Sequence, residues 1–121
     1  MLYTNLKHIE NAAAYAEIIN NNDDVMVICG RMGPMCVTVY RIAEELENEY
    51  KHVKFFDMEF DNPESIVIRS LSEVDGFTGI TFTIYYKNGK VVKATSGILT
   101  KADVTAIVDK DFLLKEMAKV S

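Results

Sequence analysis

The sequence predicts an α/β domain, with a central mixed sheet and helices on both of its faces. Three observations carry that expectation. Val25-Met26-Val27-Ile28-Cys29 is an unbroken apolar run, as a strand covered on both sides requires. Behind Gly33-Pro34, residues Cys36, Val39, Tyr40, Ala43, Leu46 and Tyr50 recur at spacings of three and four, which is one apolar helix stripe. Asn88-Gly89 separates two apolar runs, Ile80 to Tyr86 and Val91 to Thr95. Both turn residues accept positive φ, so the pair predicts a β-hairpin.

The remaining elements follow in chain order. Leu2 to Thr4 is read as a short first strand. Leu6 to Asn20, rich in Ala and long side chains, favours helix. Asn20-Asn21-Asn22-Asp23-Asp24 stops it, because such side chains bond their own backbone and favour turns. After the Val25 to Cys29 strand, Gly30 to Pro34 forms a loop. Pro34 suits the first helical position, where its missing N–H costs nothing, and the helix runs to about Tyr50. Val53 to Phe60 reads as a third strand. Asn62-Pro63-Glu64 supplies a cap, a first-turn proline and an acid at the positive helix end. The helix that follows should reach Leu71, although Ile66-Val67-Ile68 is poor helix sequence. Asp75 to Gly79 breaks it. Thr100-Lys101-Ala102-Asp103 resembles a capping box, and Val104, Ile107 and Val108 begin the last apolar face. The order is β-α-β-α-β-α-β-β-α. The second and third strands should be parallel, through a right-handed crossover.

Bulk properties bound the function. The 121 residues, 49% hydrophobic and 26% charged, make one domain, 1–121, with a single sizeable core. The formal charge is −5 and the basic residues are scattered, so no stripe exists to hold a phosphate backbone and nucleic acid is not expected as a partner. The first ten residues carry charges and no apolar run, which gives neither a signal peptide nor a membrane span. Two cysteines, Cys29 and Cys36, fit a reducing compartment better than a disulfide scaffold. A cytoplasmic protein with a protein partner is therefore expected, with no membrane, no cofactor and no metal. His8 and His52 lack ligand-spaced partners. Asp57, Glu59 and Asp61 alternate along one strand and can share a face, but no second ligand cluster supports Ca²⁺ or Mg²⁺.

The element order resembles the thioredoxin family, and so do several strings. Cys36 to Tyr50, with Glu44-Glu45-Leu46 and Glu49-Tyr50, looks like the family's helix that begins at the second active-site cysteine. Asp61-Asn62-Pro63 looks like the turn after the third strand. Gly79-Ile80-Thr81 and Lys87-Asn88-Gly89-Lys90 look like the segment carrying the cis-proline and its hairpin. The resemblance spans nearly the whole chain. Pro63 to Gly79 is longer than usual by roughly six residues, as surface connections tolerate.

The resemblance implies a thiol–disulfide protein, and the departures fall on its motif. Where the family has Trp-Cys-Gly-Pro-Cys, this chain has Met32-Gly33-Pro34-Met35-Cys36. With Cys36 as the second cysteine, Gly33 stands at the nucleophile. With Gly33-Pro34 on the family's Gly-Pro, Met32 and Met35 occupy both thiol positions. The cis-proline position holds Thr81, so a trans Ile80–Thr81 bond is expected. The family's buried aspartate becomes Val27 or Ile28. Asp57 lies near the place where many members of the family carry a lysine paired with that aspartate, and it reads either as a displaced proton acceptor for Cys36 or as a hydrogen-bonded or wet strand end. Two readings stay open. One is a non-standard redox protein using Cys36 with Cys29. The other is a redox-inactive binding module that uses Arg31, Met32, Gly33, Pro34, Met35, Ile80 and Thr81, with the methionines as adaptable contacts.

Overall fold

The computed structural model describes residues 2–112. The expected domain, 1–121, extends past these at residue 1 and at 113–121. Five strands form one sheet in the order β1-β3-β2-β4-β5, with β1 Lys7–Ile9, β2 Asp24–Gly30, β3 Lys54–Glu59, β4 Phe82–Lys87 and β5 Lys90–Ser96. β3 is parallel to both β1 and β2, whereas β4 is antiparallel to β2 and to β5, so the sheet is mixed as the sequence predicts. Among the described residues four helices flank it: α1 Ala12–Asn21, α2 Pro34–Glu49, α3 Ile66–Arg69 and α4 Lys101–Asp111.

β2 is the spine. All seven of its residues are buried, and its pleat divides them between two cores. Met26 and Ile28 pack with Val39, Ala43 and Leu46 of α2 and with Val104 and Val108 of α4. Val25, Val27 and Cys29 pack on the other side, with Tyr15 of α1 and Ile68 of α3. Helices thus cover both faces, because an all-apolar strand leaves neither face to water.

The first elements differ from expectation. Leu2 to Thr4 is not a strand. The first strand is Lys7–Ile9, within the stretch read as helix, and α1 begins at Ala12. Asn11 caps α1, its side chain accepting from the Ala14 N–H at 2.8 Å. Three residues are too few to show strand alternation, and pairing with β3 outweighs their local helix preference. The helix expected from Pro63 to Leu71 is a 3₁₀ turn, Pro63–Ser65, followed by the single turn of α3 and a second 3₁₀ turn, Ser72–Val74. The β-branched Ile66-Val67-Ile68 run supports little more. The hairpin forms at Asn88-Gly89, whose φ angles are +53° and +81°, and the capping box at Thr100 and Asp103 is complete.

Gly30, the last residue of β2, lies close against α2 and Thr81. A Cβ there would lie 2.8 Å from Thr81 Cγ2, 2.8 Å from the Tyr40 hydroxyl and 2.9 Å from Cys36 Sγ. Gly30→Ala should therefore cost about 1–3 kcal/mol by overpacking. Urea unfolding measures it, and a variant as stable as the parent would contradict this packing.

Candidate functional site

The loop leaving β2 carries the residues the sequence singles out. Gly33 is the N-cap of α2, extended at φ −80° and ψ 164°, and Pro34 is the first helical residue. Cys36 thereby falls in the first turn. Its side chain turns inward and is 3% exposed. The Thr81 hydroxyl donates to Cys36 Sγ. Met32 and Met35 point outward and are 38% and 49% exposed. Arg31 donates to Asp61 through Nε and a terminal nitrogen at 2.8 and 2.9 Å, and its guanidinium lies 5.1 Å from the Phe60 ring centroid. That pairing holds the Asp61 carboxyl below its ordinary range.

Thr81 itself is wholly buried, so it supports this surface from beneath, and Ile80 is half-buried. The Ile80–Thr81 bond is cis, which corrects the trans bond expected from the absence of proline. The trans preference is a local one. Here the buried contacts decide: the Thr81 hydroxyl is bonded to Cys36 Sγ, and the Thr81 carbonyl accepts from the Gly97 N–H at 2.9 Å.

Cys29 and Cys36 are not brought together. Both are free and buried. They belong to the two separate cores, Cys36 on the α2 side of the sheet and Cys29 on the α1 side. The cause is the period of two along β2, which aims the Cys29 side chain away from α2. Burial pushes the Cys29 thiol up to about 12, with the nearby Arg69 charge only partly opposing it. Beside Cys36, the buried Tyr40 hydroxyl has no hydrogen-bond partner among the described residues, and burial raises its pKa.

Asp57 lies in the middle of β3, not at a wet strand end, and is wholly buried. One oxygen engages His8 Nδ1 at 2.6 Å and the other accepts from the Thr4 hydroxyl. His8 sits directly opposite Asp57 across the parallel β1–β3 ladder. Burial raises the Asp57 pKa above its ordinary 3.8, while the bonds from Thr4 and His8 pull it back. Sequence reasoning missed His8 and Thr4 as partners, since with His8 read as helical nothing set it against β3. The available signal was Asp57 itself, a lone acid in Phe55-Phe56-Asp57-Met58. Asp61 lies beyond the strand with Arg31, so the three alternating acids do not form one cluster.

No protein-family model matches the sequence, and no match is found among curated proteins. Solved structures do match. A Plasmodium falciparum thioredoxin is 21% identical, with a TM-score of 0.73 over 88% of this chain and 99% of that one. Oxidised mitochondrial thioredoxin 3 from Saccharomyces cerevisiae is 19% identical, with a TM-score of 0.70 over 86% and 94%. A mutant thioredoxin from Halobacterium salinarum is 14% identical, with a TM-score of 0.72 over 94% and 98%. The chain has the thioredoxin fold. Among the described residues, no helix is long and apolar enough to cross a membrane.

The raised Asp57 pKa sets a direction for stability. The native state holds this proton more tightly than the unfolded chain does. The contribution is therefore fully present below the ordinary carboxylate pKa and is lost as pH rises through the folded value. In Asp57→Asn the amide can accept from Thr4 and donate to His8. Its stability relative to the parent should therefore rise as pH climbs from below the ordinary carboxylate pKa to above the raised folded value. Urea titrations across that range test this, and a parent that gains on the variant with rising pH would contradict it.

Proposed function

We propose that this protein is a thioredoxin-fold binding module of one domain, 1–121, and that it does not carry out dithiol exchange within one chain. Its contact surface is the Arg31 to Met35 loop, with Ile80 beside it and Thr81 beneath. The observation that carries this reading is the division of sulfur at the start of α2. Both thiols are buried and lie on opposite faces of the sheet. The exposed sulfurs nearby are the thioethers of Met32 and Met35, which bind adaptably but cannot exchange disulfides. The partner is a polypeptide, and two free thiols fit a reducing, cytoplasmic setting.

The thioredoxin fold of the structural neighbours favours the second reading, a thiol–disulfide protein using Cys36 with Cys29. Turnover by that route needs an accessible thiolate and a resolving thiol within reach. Helix-start electrostatics favour a thiolate at Cys36 by only about 0.3–1 kcal/mol in ordinary settings, against near-complete burial.

Dithiothreitol-driven insulin reduction separates the two readings. The binding module predicts turnover close to that of dithiothreitol alone, equal in the parent, Cys36→Ser and Cys29→Ser. Robust turnover that disappears in either variant would overturn it in favour of the redox pair.

A further inference from the structure

The His8–Asp57 pair takes no part in the contact surface above, and it borders open space. A cavity of about 210 Å³ lies at the carboxyl ends of β1 and β3, lined by His8, Glu10, Asp57 and Glu59 with apolar Leu2 and Ile9. That volume holds on the order of seven water-sized groups. The carboxyl ends of parallel strands are where open α/β sheets place their ligands.

The hydrogen-bonding capacity of the walls defines what fits. Asp57 is satisfied on both oxygens, by His8 Nδ1 and by the Thr4 hydroxyl. When the ring carries its single proton on Nδ1, toward the carboxylate, Nε2 is an acceptor. The His8 side chain is 33% exposed, and Nε2 has no partner among the described residues. The Glu10 carboxylate likewise has none among them. The Asn62 side chain, also in the wall, is already engaged: its amide donates to the Glu10 carbonyl at 2.8 Å, and its oxygen accepts from the Glu64 N–H at 2.9 Å. Apart from the second N–H of the Asn62 amide, the side chains thus offer acceptors.

We propose that this cavity binds a small organic cation bearing a primary ammonium or amidinium group. His8 Nε2 and the Glu10 carboxylate accept its N–H groups, and Leu2 and Ile9 cover its hydrocarbon part. Asp57 is a positioning residue, acting through His8. An anion would meet Glu10 and Glu59, with only the second Asn62 N–H to receive it. A bare metal ion is not served either, since no group of three or more His, Cys, Asp or Glu among the described residues is placed to hold one.

The test is an NMR titration of the full chain carrying ¹⁵N-histidine, at about pH 8, where an ordinary imidazole is neutral. Ethylammonium and acetamidinium are the probes, and acetate is the anionic counterpart. Either cation should shift the His8 Nε2 resonance saturably, and acetate should not. Glu10→Gln should weaken binding at least about threefold, a modest loss because Glu10 is exposed. Asp57→Asn should weaken it about tenfold and remove the single-tautomer ¹⁵N pattern of His8. No saturable shift with either cation, an equal response to acetate, or unchanged affinity in Glu10→Gln would overturn the proposal. Glu10→Gln carries the test alone should Asp57→Asn fail to fold.

Discussion

The pleat of β2 governs this structure. A strand buried along its whole length must send successive side chains to opposite faces, and here each face is a separate core. Ile28 and Gly30 face α2, while Cys29 between them faces α1. Gly30 leaves room beneath α2 for the Cys36 sulfur, the Tyr40 hydroxyl and Thr81 to converge. The same alternation denies Cys36 a resolving partner seven residues back along the chain. A one-residue shift in register would bring the thiols to one side, but it would also turn Val25 and Val27 out of their core.

The polar groups near the end of the sheet follow from that arrangement. With aliphatic Ile28 on the α2 side of β2, the wholly buried acid on that side is Asp57, one strand over, paired in register with Ile28. Its partners come from the opposite direction, His8 on the edge strand and Thr4 in the segment before it. The buried carboxylate is therefore tied to the β1 edge, whereas the exposed methionines stay at the start of α2. The thioredoxin fold here presents two separate places, a loop with two exposed thioethers and a carboxylate–imidazole pair beside a small cavity.

The sequence carried the fold because its strongest signals are local. The apolar Val25 to Cys29 run, the Gly33-Pro34 helix start and the Asn88-Gly89 turn each rest on a few adjacent residues, and each appears in the structure. The first strand was misplaced because Lys7–Ile9 is a strand only by pairing with β3, which no local pattern records. The same blindness hid the His8–Asp57 pair, two residues 49 positions apart. The separation of Cys29 from Cys36 was legible in principle, since alternation along β2 fixes which way Cys29 points. It went unread because spacing along the chain, six residues between the two, says nothing about the face of the sheet. The cis bond before Thr81 lies among contacts to Cys36 and Gly97 that exist only in the folded chain.

The central claim is that the two thiols of one native chain cannot meet. Diamide treatment of the native protein, followed by alkylation and peptide mapping by mass spectrometry, tests it directly. A disulfide needs Cα atoms about 4.4–6.8 Å apart with the side chains facing each other. Alternation on β2 denies Cys29 that orientation. The account predicts no Cys29–Cys36 cross-link while the protein stays folded. A cross-link forming in good yield in the native state would contradict it.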